Sequence, residues 1–208
     1  MRFKKLRKLF SRFGRRAQLH ITEKDIADAT RLALGVRYRS PEMFRHVSLT
    51  KSLQAIDKLY EDHGIRTRVK RLPVAFWKKS STTLLNKLVL LSSGFYDKPL
   101  YTQVSTKWHE FVHTKQDISK RRWARDPVYR WSVEMPAYAE TVAFAVMMSE
   151  HGDVRDEISR IVSRMHASYG LHRIPASEVH DATRRVLERA AEQARERITK
   201  NAKDGVYQ

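Results

Sequence analysis

Apolar positions recur at two different periods along this chain, and the changes of period divide it into elements. Phe3, Leu6, Phe10 and Phe13 stand at helical spacing among Arg2, Lys4, Lys5, Arg7, Lys8 and Arg12, which predicts a cationic amphipathic arm over residues 1–20. Thr22 and Asp25 have the spacing of a capping box that opens a helix through about Leu34, with Gly35 as its stop. Ser40-Pro41 predicts a short helical turn. Thr50 then caps a helix that carries Leu53, Ile56, Leu59 and Tyr60 and ends at His63-Gly64.

Beyond Gly64 the period shortens to two. Ile65, Thr67 and Val69 alternate with Arg66, Arg68 and Lys70, as in a strand with one wet, basic face. Residues 84–91 are apolar except for Asn86 and Lys87, and predict a second, better buried strand that ends in Ser92-Ser93-Gly94. From about Leu100 the helical period returns, with Val104, Trp108, Phe111 and Val112 near one face of a helix running to about Gln116. Pro136 opens a further helix through Ala145 and Met148 to Glu150. Asp153 with Asp156 caps the next, whose stripe is Ile158, Ile161, Val162 and Met165 and whose end is Gly170. The last helix, about 177–199, has a narrow stripe of Val179, Val186, Ala190 and Ala194, and is expected to lie as a lid on its own domain. This order predicts an α+β fold, mainly helical, with a small sheet ahead of the 100–116 helix. Residues 21–208 are expected to form one domain, since a chain of 208 residues buries one full core but hardly two.

Composition narrows the chemistry. Without cysteine there are no disulfides, thiolate ligands or thiol nucleophiles. The formal charge of +18 predicts attraction to polyanions, and eight of the 41 basic residues lie in the first sixteen positions with no acid among them. The arm is therefore an anchor on anionic lipid or nucleic acid, or else a solvated extension or a helix whose apolar face packs on its own domain. No apolar run reaches the length of a membrane span and no secretory signal opens the chain, so the expected location is cytoplasmic, with peripheral attachment to a membrane or to nucleic acid.

His109-Glu110-Phe111-Val112-His113 is the motif that carries chemistry. On a helix, positions four apart project from one face, so both imidazoles can reach a single zinc ion. Glu110 lies about 100° around the helix from His109, where it can act on a metal-bound water without being a ligand. Such spacing serves hydrolysis.

With Thr106 ahead of the motif and uncharged Phe111, Val112 and Thr114 in and after it, the sequence resembles a zincin metallopeptidase, although Lys107 and Lys115 stand where that pattern is uncharged. Gln116 and Ser119 replace the Gly and His of the metzincin pattern. Glu134-Met135-Pro136-Ala137-Tyr138-Ala139, which begins 21 residues after His113, is similar to the ExxA segment of gluzincins, including small bacterial and phage gluzincin-like proteins. The resemblance covers about residues 104–140. It implies a zincin-like domain, peptide-bond hydrolysis through a zinc-bound water, a protein or peptide substrate, Glu110 as general base, and Glu134 as third ligand beside His109 and His113. Glu140 is the competing carboxylate. Six residues rotate a helix by about 240°, so the two cannot both face one metal.

Tyr129, Tyr138, His151 and His172 are candidates by type for stabilising an oxyanion. Lys115, Lys120, Arg121, Arg122, Arg125 and Arg130, with Trp123, Tyr129 and Trp131 among them, form a basic, aromatic segment between His113 and Glu134. It either holds an acidic substrate or a nucleic-acid strand, or packs its rings beneath while its cations stay in water. The rival function is a non-catalytic protein that binds nucleic acid or membrane on a zincin-like scaffold.

Overall fold

The computed structural model describes residues 19–35, 47–69, 82–84, 87–149 and 152–203. The arm up to residue 18, the turn at Ser40-Pro41, and Lys70, Asn86 and His151 lie outside them. Helix α1 is Glu23–Gly35, α2 is Leu49–Asp62, and the strands are β1 (Arg66–Val69), β2 (Thr82–Leu84) and β3 (Leu88–Leu91). A 3-10 turn at Phe95–Asp97 leads to α3 (Leu100–Lys115), α4 (Lys120–Arg125), α5 (Pro127–Met148), α6 (Arg155–Ser168) and α7 (Ala176–Lys203). The fold is mainly helical with a small sheet.

Local chemistry explains most of the boundaries. The Thr22 backbone N–H donates to Asp25 Oδ2 at 2.8 Å while the Asp25 N–H donates to Thr22 Oγ1 at 3.2 Å, a reciprocal capping box at the start of α1. Helix α2 begins two residues earlier than a cap at Thr50 predicts, because the hydroxyl of Ser48 accepts from the Lys51 N–H. The apolar run 84–91 is not one strand. Its polar interruption falls between β2 and β3, which pair antiparallel, Leu84 opposite Leu88. β3 also pairs in parallel with β1, giving the order β1-β3-β2. As an edge strand, β1 is exposed at all four positions, so the expected division into a wet and a dry face is absent there.

The larger correction concerns α5. Pro136 does not open this helix; it sits inside one that starts nine residues earlier, where Asp126 accepts from the Tyr129 N–H and Pro127 occupies the first turn. An interior proline costs about 3 kcal/mol. Trp131 and Met135, both fully buried on the amino-terminal side of Pro136, offset it, at roughly 1.5–3 kcal/mol for each large apolar side chain. Glu134 is thereby inside the helix rather than ahead of it.

Helix α5 separates two cores. Trp131, Met135, Val142 and Val146 pack with residues of α1, α6 and α7, while Phe144 packs with Ile56, Val89, Phe95, Val104 and Trp108 of α2, the sheet and α3. Helix α7 is more than a narrow-striped lid, because Ala182, Thr183, Leu187 and Ala191 are buried beside the expected Val179, Val186, Ala190 and Ala194. Residues 19–21 are tied to the body: the Leu19 N–H donates to the Arg173 carbonyl, and His20 and the Ile21 N–H both meet the Glu178 carboxylate. No helix among the described residues is long and apolar enough to cross a membrane.

Candidate metal centre

The carboxy-terminal half of α3 lies against α5, and the space between them receives three side chains. His109 and His113 come from successive turns of α3 and Glu134 from α5. Their nitrogen and oxygen atoms lie within 4.8 Å of one another, the one such group of three found among the described residues. His113 and Glu134 are buried, and 12% of the His109 side chain is exposed.

Individual distances test whether a metal fits. His113 Nε2 is 3.1 Å from His109 Nε2 and 3.2 Å from Glu134 Oε2, and His109 Nε2 is 3.5 Å from the same oxygen. Tetrahedral zinc with ligands at about 2.0–2.1 Å has ligand atoms about 3.3–3.4 Å apart along each edge of the tetrahedron. The three separations therefore outline one face of a zinc-sized tetrahedron, and no fourth member of the group comes from the described residues. Two imidazoles and a carboxylate are a donor set that zinc accepts.

Neighbours orient the ligands. Gln116 Oε1 lies 2.6 Å from His113 Nδ1, and the amide is held the right way round because its Nε2 donates to the Val133 carbonyl at 2.9 Å. With Nδ1–H donating to Gln116, the lone pair of a neutral His113 is on Nε2, facing the centre. Thr141 donates to the Ala137 carbonyl and stands 3.5 Å from His109 Nδ1, a longer version of the same arrangement. Glu140, the competing carboxylate, is also buried on α5 but is not part of the cluster.

Electrostatics in the metal-free protein follow from the crowding. Burial pushes the His113 imidazole down, but the charge and hydrogen bond of Glu134, the charge of Glu110 and the Gln116 contact outweigh it and raise the group to about 9. Burial likewise pushes Glu134 up. The His113 charge and the hydrogen bonds from both imidazoles overcome this, and its carboxyl is held well below the usual carboxylate range. Glu110 is 5% exposed, and besides raising His113 its charge acts on Tyr60.

Of the tyrosine and histidine candidates, Tyr138 is beside the centre, its ring centroid 4.5 Å from that of His109. Its hydroxyl is 2.7 Å from that of Tyr169, a residue that no motif singles out, 31 positions away at the end of α6. Two hydroxyls hold two hydrogens, and the bond between them uses one. The other has no acceptor among the described residues. Burial first, and then the Glu134 charge, push Tyr138 up to about 12, so it stays a donor at neutral pH. Tyr129 is engaged elsewhere, accepting from the Ser119 N–H, and His172 is exposed.

Lys107, unexpected in a buried helix, is 2% exposed and paired with Asp57 of α2. An open cavity of about 810 Å³ lined by Leu49, Tyr101, Met148, Asp153, Asp156 and Glu157, among others, contains none of the three cluster residues and brings together no comparable set of metal-binding groups. Comparison with family models, curated proteins and solved structures returns no match, so the centre is read from its own chemistry.

Proposed function

We propose that this chain is a zinc-dependent peptide hydrolase of the gluzincin type. The observation that carries the reading is the convergence of His109, His113 and Glu134 at the separations of a zinc tetrahedron, with buried Glu110 on the same helix. His109 and His113 would hold the ion through Nε2 and Glu134 through a carboxylate oxygen. Bound there, zinc supplies a Lewis acid that lowers the pKa of a coordinated water towards 7 and polarises the carbonyl to be attacked. Glu110 takes the proton of the attacking water on a carboxylate oxygen and passes it to the departing amine. The unused hydroxyl hydrogen of the Tyr138–Tyr169 pair is a donor for the oxygen that becomes negative in the tetrahedral intermediate. Gln116 and Thr141 keep the imidazoles turned towards the ion.

The test is Glu110→Gln, assayed for zinc content and for cleavage of a mixed peptide library. The amide cannot accept the proton, so zinc should be retained while cleavage by the wild type disappears in the variant. Cleavage at the wild-type rate by the zinc-loaded variant would remove Glu110 from the chemistry.

A further inference from the structure

Helix α4 poses a question that the metal centre does not answer. All six of its residues are exposed, so it contributes nothing to either core. It is nevertheless fixed at both ends. Ser119 caps it by accepting from the Arg122 N–H, and the side chain of Arg130 donates to three carbonyls, those of Trp123 and Ala124 in α4 and that of Tyr169 beyond α6. Gly170 makes room for this clamp: its φ is +63°, and a Cβ there would stand 2.8 Å from the Arg130 guanidinium. A surface helix held this firmly without burying anything is held for what it displays.

What it displays is a ring beside Lys120 on one side and two unpaired arginines, about 160° around the helix, on the other. Trp123 is 39% exposed, with the Arg130 guanidinium 4.8 Å from its centroid, and Arg122 is 4.3 Å from the Tyr129 ring. Several arginines elsewhere on the surface stand beside carboxylates, as in Arg160–Glu157, Arg184–Glu188, Arg189–Glu192 and Arg185–Glu23, while others, such as Arg66 and Arg68 of β1, have no ion pair among the described residues. On α4 only Arg122 has one, Asp126; Lys120, Arg121 and Arg125 have no ion pair among the described residues. Arg121 and Arg125 are four apart and so lie within about 40° of each other, roughly 6 Å apart along the axis, while Lys120 and Trp123 share the other flank.

We propose that α4 is a docking surface for single-stranded nucleic acid, with Lys120, Arg121 and Arg125 on phosphates and Trp123 stacked on an unpaired base. Unpaired cations supply sequence-independent attraction through counterion release, and a rigid ring supplies a stacking platform. A lipid surface would call for aliphatic side chains around the indole, and α4 has only Ala124. An acidic peptide would use the cations but not the exposed ring. The inference is independent of the peptidase reading, since binding needs neither zinc nor Glu110.

The experiment uses the full chain and a fluorescein-labelled, mixed-sequence single strand of about 12 nucleotides, followed by anisotropy between about 50 and 200 mM salt. Arg121→Ala/Arg125→Ala should bind at least about tenfold more weakly at the low-salt end, with a log–log salt slope shallower by about 1.4, two contacts at about 0.7 each. Trp123→Ala should lose about tenfold with an unchanged slope, because stacking releases no counterions. Arg184→Ala/Arg189→Ala removes the same charge from α7 and should change affinity less than about twofold. Ultraviolet crosslinking of the wild type, which depends on no variant folding, should map the strand to the peptide containing Trp123. An equal loss in the α7 control, or a crosslink confined to other segments, would overturn the proposal. So would loss of binding to phosphatidylserine vesicles in the α4 variants while oligonucleotide affinity stays at the wild-type value.

Discussion

Gln116 Oε1 lies 2.6 Å from His113 Nδ1, and the other end of the same amide is bonded to the Val133 carbonyl of α5. One side chain at the end of α3 thus fixes both the tautomer of a candidate ligand and the seating of α3 on α5. Gln116→Ala should weaken zinc binding by about 10–100-fold, as removal of a partner behind a ligand does. Competition with a chromophoric chelator measures this directly, and wild-type affinity in the variant would take away the orienting role.

The choice between the two α5 carboxylates is tested in the same assay. Glu134→Ala should lose nearly all zinc affinity, because a protein ligand is gone, whereas Glu140→Ala should keep wild-type stoichiometry. A greater loss in Glu140→Ala would reverse the assignment.

Much of this site was legible in the sequence, and the reasons differ by residue. His109 and His113 are one step of four apart on successive turns with Glu110 beside the first, so their geometry follows from period alone. Glu134 was readable by its likeness to ExxA, but its place within a helix was not: local proline chemistry argues for a start at Pro136, and only the tertiary burial of Trp131 and Met135 carries the helix through it. The hairpin was hidden for a related reason, since Asn86-Lys87 reads equally as an interruption of one strand or as the turn between two. Tyr169 could not be found. Its partnership with Tyr138 spans 31 residues and depends on how the end of α6 meets α5.

The shifted His113 and Glu134 set a pH prediction. His113 is raised from 6.5 to about 9, so its contribution to the stability of the metal-free protein is complete below about 6.5 and is lost as the pH rises through about 9. Glu134 is depressed, so its contribution is present above its ordinary value of 4.5 and is lost only in stronger acid. Zinc requires neutral His113. At pH 7 its uptake should therefore release about one proton, visible as a dependence of the calorimetric heat on buffer ionisation enthalpy. Buffer-independent heats would contradict a protonated His113 in the metal-stripped protein.

Gly170 gives a stability prediction unconnected with metal. Gly170→Ala puts a Cβ 2.8 Å from the Arg130 guanidinium on a backbone with φ +63°. The variant should be destabilised by more than about 1 kcal/mol. Chemical denaturation measures it, and a wild-type midpoint would show that the Arg130 clamp yields freely.

The central claim is that His109, His113 and Glu134 hold a metal ion, and metal analysis of the purified chain tests it most directly. The account predicts about one zinc per chain, or uptake of one zinc on titration of stripped protein, and loss of that zinc in His113→Ala. Wild-type protein that contains no metal and takes up none, or His113→Ala that binds zinc as tightly as the wild type, would contradict it.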